Sequence, residues 1–205
     1  MPNDQNDRQV NQSLPAGLRL SGASLAWTLV AGTTATAAGL IGNSLVLVSF
    51  GLVGLLDGVG SASLVVHFRH SLRHETFSER HERIALVIVT VGLACIGIAT
   101  MAGSAFRLAM GTKSHSVPVG SAIAGASIVV LAVLAVGKIR VAPKIPSHAL
   151  RSDGWVSATG AVLALVALVG TVLDSIFGLW WVDPIAAIVV ATGAVGLSAF
   201  LARGP

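Results

Sequence analysis

A chain of 205 residues that is 54% hydrophobic and 11% charged has under half the charge, about 25%, that coats a soluble domain. That excludes an ordinary cytosolic enzyme, a disordered chain and a coiled coil, because so thin a polar coat cannot solvate a globular surface. A net charge of +4 and a pI near 10.2 suggest a nucleic-acid footprint at first sight, but the placement of the 13 Lys and Arg residues has another cause, given below. The single cysteine, Cys95, excludes an internal disulfide and a paired-cysteine zinc site, and its place inside an apolar run reads as a small core residue.

Residues 1–17 are polar and lack the charged, apolar and small-residue pattern of a signal peptide, so they read as a disordered cytoplasmic tail. Residues 18–203 read as one transmembrane domain. Its apolar runs cover about 18–41, 44–68, 84–106, 117–137, 151–173 and 183–202, each near the ~20 residues that cross the hydrocarbon layer as a helix. Gly42-Asn43 marks the first turn. Trp180 and Trp181 suit an interfacial belt, and Asp183-Pro184 reads as an N-cap followed by proline at the first helical position of span six. Pro118 opens span four in the same way. Among the Lys and Arg residues, only Arg107 and Lys113 fall on the side away from the termini. The positive-inside rule therefore places both termini in the cytoplasm, and the high pI reflects topology rather than DNA binding. The expected fold is an all-α membrane protein of six transmembrane helices in the plasma (inner) membrane.

Placing a carboxylate within a span costs about 2.5–3.5 kcal/mol on insertion scales, and Asp57 is the one that clearly lies there. Gly54, Gly58 and Ala62 make a small-residue stripe beside it, so this helix packs closely on a neighbour. Two readings fit Asp57: a cation or proton site, or an interhelical hydrogen bond. A divalent metal wants about four ligands, yet one turn from Asp57 stand Val53 and Ser61. Asp153, at the start of span five, serves equally as a second metal ligand or as an N-cap; Ser157 and Thr159 offer weak oxygens, and Asp174 lies at the far end of that span. His67, His70 and His74 recur at helical spacing and His81 follows. They form either a cytoplasmic metal-loading or pH-sensing patch, or a solvated connector in which Arg69, Arg73 and Arg80 repel cations.

Three segments carry a family resemblance. SLVLVSFGLVGLLDGVGSASLVVHFR resembles the second transmembrane helix of the cation diffusion facilitator (cation efflux) family, which reads Ser-x-Ala-Leu, Phe-Gly-Leu, two acidic residues four apart and an Arg-rich exit. SHALRSDGWVSATG resembles that family's Ser-x-Ala-Leu-x-Ala-Asp-Ala segment, and GLWWVDPIAAIVVA its Asp-Pro-x-Ala opening of helix six. The likeness runs from about Leu20 to Ala202. It implies a cation-efflux-type bundle that exports zinc or related divalent cations, commonly against protons, by alternating access in a homodimer. It also implies a central site of two acidic residues on helix two and a His or Asp plus an Asp on helix five. Asp57 matches the second acidic position; Val53 stands at the first, and Val156 and Gly160 stand at the helix-five pair. Many members carry a cytoplasmic metal-binding domain after the bundle, which is not expected here because the sequence ends at Pro205.

The expected function is cation transport through Asp57, with Asp153 as the other candidate metal residue and pairing of chains through small-residue helix faces. The competing class is a non-transporting structural or interaction protein. No enzyme motif and no cofactor are expected; a divalent cation would be substrate.

Overall fold

The computed structural model describes residues 4–72, 79–115, 117–144 and 148–203, with side chains over 14–70, 84, 86–115, 117–143 and 150–203. These residues form six α-helices: α1 (Asp4–Ile41), α2 (Leu45–Leu72), α3 (Glu79–Met110), α4 (Pro118–Val141), α5 (His148–Phe177) and α6 (Val182–Ala202), with a short 3-10 turn, Ala142–Lys144, between α4 and α5. Each contains a continuous apolar stretch of 21 to 28 residues, enough to span a bilayer. Helices satisfy their own backbone groups, which lipid cannot do.

Turn chemistry ends the helices where the sequence marks them. Asn43 adopts φ 52°, a left-handed conformation that asparagine tolerates better than most residues. It lets Ser44 N–H return to the Gly39 carbonyl at 2.8 Å. Glycines with positive φ, Gly111 and Gly178, follow the ends of α3 and α5 in the same role. Pro118 stands at the first turn of α4, where its missing N–H costs nothing.

Helices α1, α2, α4 and α5 form a four-helix bundle, and α3 and α6 pair with each other along its flank, against α2 and, for α6, α5. The core is built largely of alanine, including Ala35, Ala124, Ala164, Ala167, Ala187 and Ala194. Such small side chains let helix backbones approach where lipid gives no hydrophobic drive for association. The approach is closest between α1 and α2. A Cβ on Gly51 would lie 2.6 Å from the Thr36 backbone nitrogen, and one on Gly39 would lie 2.6 Å from the Val48 nitrogen. Gly51→Val therefore forces these helices apart, an overpacking cost of about 1–3 kcal/mol, seen as a lower melting temperature in detergent. The small-residue face of α2 is thus occupied inside the chain: Gly54 faces Gly32 and Gly58 faces Thr28. This is the close packing on a neighbouring helix that the stripe of small residues implies.

Three local expectations are corrected. Helix α1 starts at Asp4, within the stretch expected to be a disordered tail, and Leu14 is anchored in an apolar cluster with Leu64, Phe68, Ala142 and Leu150. Cys95 is exposed, not in the core; it shares the outward face of α3 with Ile88, Val91 and Ile98, a face suited to lipid. Asp183 does not cap its own helix, because α6 begins one residue earlier and Trp181 occupies the N-cap without a side-chain bond. The Asp183 carboxylate points across to α2, where it accepts hydrogen bonds from the Ser44 hydroxyl and, at 2.9 Å, from Leu45 N–H. It therefore caps a neighbouring helix through space. Asp183→Ala leaves the Leu45 amide and the proton of the Ser44 hydroxyl without an acceptor, with an expected loss of about 1–3 kcal/mol readable as a lower thermal midpoint.

Candidate functional site

Asp57 lies on the inner face of α2, four residues after Val53 and four before Ser61, so the three share one stripe. It lines a cavity of about 30 Å³, room for one or two waters or one small cation. All six helices contribute to its wall. Val53, Val156 and Gly160, the other three positions that the family resemblance singled out, line the same cavity. The four positions therefore converge in space, but Asp57 is the one charged residue in the lining.

Three residues that line the cavity carry a polar atom buried without a hydrogen-bond partner among the described residues: Asp57 Oδ1, Ser127 Oγ and Trp27 Nε1. Buried polar groups are nearly always paired, and each unpaired one costs about 1–3 kcal/mol. Together they supply one carboxylate acceptor, one hydroxyl and one indole N–H, a set that suits a small cation with water. They do not make the four-ligand shell of a dehydrated zinc ion. Among the described residues no three His, Cys, Asp or Glu side chains gather into a metal-binding group.

One turn along the bundle is a second polar layer. Asp153 sits in the second turn of α5, past the N-cap position, and is buried. Its Oδ2 lies 2.6 Å from the Lys138 ammonium. Lys138, on α4, is fully buried. It also donates to Ser24 Oγ at 2.7 Å and to Ser157 Oγ at 2.9 Å, so its three protons meet three oxygens. Ser61 contacts this group, 3.2 Å from Ser24 Oγ and 3.4 Å from Asp153 Oδ1. Thr159 takes no part; its hydroxyl bonds back to the Trp155 carbonyl.

The two layers are stacked by helical spacing. Ser24 and Thr28 on α1, Ser61 and Asp57 on α2, and Ser157 and Gly160 on α5 each join the ammonium layer to the cavity one turn away, about 5.4 Å along a helix. Beyond the ammonium lies the apolar cluster of Leu14, Leu64, Phe68, Ala142 and Leu150. The order is cavity, ammonium cage, apolar plug.

Lys138 is the residue that sequence reading misplaces: it falls just past the apolar run 117–137 and counts there among the basic residues on the side of the termini. The pattern that identifies it is the buried face of α4: Gly120, Ala124, Ser127, Leu131, Leu134 and then Lys138, continuing at steps of three and four. The lysine keeps the phase of the apolar stripe and therefore points inward.

The remaining candidates stand apart from the cavity. Asp174 accepts a hydrogen bond from Ser114 at the opposite end of the bundle, where Arg107 binds the Asn43 carbonyl and side chain. His67 is packed edge-on against Phe68, with ring centroids 5.7 Å apart, and His70 Nδ1 is 2.9 Å from the Val66 carbonyl. His74 and the side chain of His81 lie outside the described residues.

The sequence pattern that defines the cation efflux transmembrane domain matches residues 23–203. Comparison with curated proteins finds no match.

Proposed function

The chain belongs to the cation efflux family by its transmembrane domain, a family of multi-pass cation transporters, and on that premise we propose that it moves a cation through the Asp57 cavity. The observation that carries this is Asp57 Oδ1, buried and unpaired on a cavity walled by all six helices. A carboxylate kept there without a protein partner is costly, and intramembrane carboxylates typically mark ion or proton paths. Asp57 binds the cation, Ser127 and Trp27 hold its water, and the valines at positions 53 and 156 keep the shell incomplete. Proton exchange is the natural coupling, because one carboxylate carries either a cation or a proton. The apolar cluster packs across one end, so release of a cation on that side requires Leu14, Phe68 and Leu150 to separate, as alternating access demands. Family membership supports a homodimer in the plasma membrane, and the basic residues support cytoplasmic termini.

The test is flux into proteoliposomes, with protons, sodium, potassium, manganese and zinc offered with and without a pH gradient. Movement of at least one cation is expected, and movement of none overturns the proposal. The closed end also suits a second reading, a non-transporting relative that holds a membrane partner. That reading predicts that Asp57→Asn is silent in cells.

A further inference from the structure

Lys138 brings an ammonium group into the bundle, and its surroundings resemble those of a bound ion. Three oxygens from α1 and α5 hold the ammonium at 2.6–2.9 Å, Ser61 of α2 completes the cage through Asp153, and the side chain is 0% exposed. The interior at this level holds three ionisable groups among the described residues: Asp57, Asp153 and Lys138. Asp183, the other buried carboxylate, is bound to Ser44 and Leu45 at the start of α2, about 18 Å along the helix from Asp57. Formal charge in the two layers is therefore two negative and one positive.

Charge in so dry an interior must be balanced. The ammonium balances Asp153 by direct contact, which leaves the negative charge of Asp57 to be met by the cargo. We propose that Lys138 is the specificity-determining residue of the pathway, an internal cation that limits the cargo at Asp57 to a single positive charge, a proton or a monovalent ion, and excludes divalent metals. This rests on the reading of Asp57 as the cation-binding carboxylate and names the charge class that site accepts. Without the ammonium, the cage becomes an oxygen site of Asp153, Ser24, Ser61 and Ser157, one turn from a second carboxylate. That donor set suits a hard divalent ion such as manganese.

The experiment is Mn²⁺ binding to the full-length protein in detergent, followed by the loss of the free-ion paramagnetic resonance signal. Wild type, Lys138→Gln and Lys138→Ser are compared, each purified with and without Mn²⁺. The glutamine variant keeps hydrogen-bonding capacity at the cage, and the serine variant opens it. Wild type is expected to bind no Mn²⁺ above background. At least one variant is expected to bind one ion per chain, at least about tenfold more tightly than wild type, as removal of a unit charge at contact distance requires. Where a variant aggregates without metal, Mn²⁺ is expected to restore it to a monodisperse form, because the metal supplies the missing charge. The proposal is overturned if neither variant binds or is restored, or if wild type binds as tightly as the variants. Its failure is separable from that of the transport reading. Binding is measured without flux, whereas the transport reading fails when wild type moves no cation in liposomes.

Discussion

Asp57→Asn is expected to lower cation flux at least about tenfold, as loss of the essential intramembrane carboxylate implies, while leaving the thermal midpoint in detergent unchanged or higher. Both halves follow from one geometry. Asp57 Oδ1 has no hydrogen-bond partner among the described residues, so an amide in its place breaks no pair and removes a charge that the apolar lining does not compensate. A purely structural carboxylate behaves in the opposite way, because its removal strands a donor and costs stability. Flux of the variant in proteoliposomes and its melting curve, taken together, separate the two.

The second large effect lies one turn away and has the opposite signature. Lys138→Met or Asp153→Leu alone leaves a buried charge without its partner, which typically costs about 3–5 kcal/mol. An interhelical hydrogen bond in a membrane protein averages only about 0.6 kcal/mol, so the stranded charge dominates, not the lost bonds to Ser24 and Ser157. The double replacement Lys138→Met/Asp153→Leu removes both charges and is expected to be more stable than either single variant. Thermal unfolding of the four proteins forms a double-mutant cycle. A double variant as unstable as the sum of the singles would show that the pair is not coupled as the 2.6 Å contact requires.

Much of this arrangement is legible in the sequence because bilayer thickness and backbone satisfaction leave few options. Six apolar runs of spanning length give six helices, and Asp57, the carboxylate far from either end of a run, lies on the cavity at which the structure brings Val53, Val156 and Gly160 together. Features that depend on contacts between helices were not legible. Asp183 reads as a local cap because capping is usually local, yet its oxygens reach α2. Asp153 can be read as a cap or a ligand until α4 supplies Lys138 beside it. Lys138 itself falls three residues from the end of α4, where a basic side chain ordinarily reaches water; only the phase of the buried stripe shows that it turns inward. Cys95 was misplaced for a related reason, since an apolar run does not reveal which face meets lipid.

The central claim is that the unpaired carboxylate on the cavity carries the cargo. It is tested most directly by measuring cation flux of wild type and Asp57→Asn side by side, in liposomes holding equal amounts of folded protein. The account predicts measurable flux in wild type and its loss in the variant. Equal flux in the two proteins would contradict it.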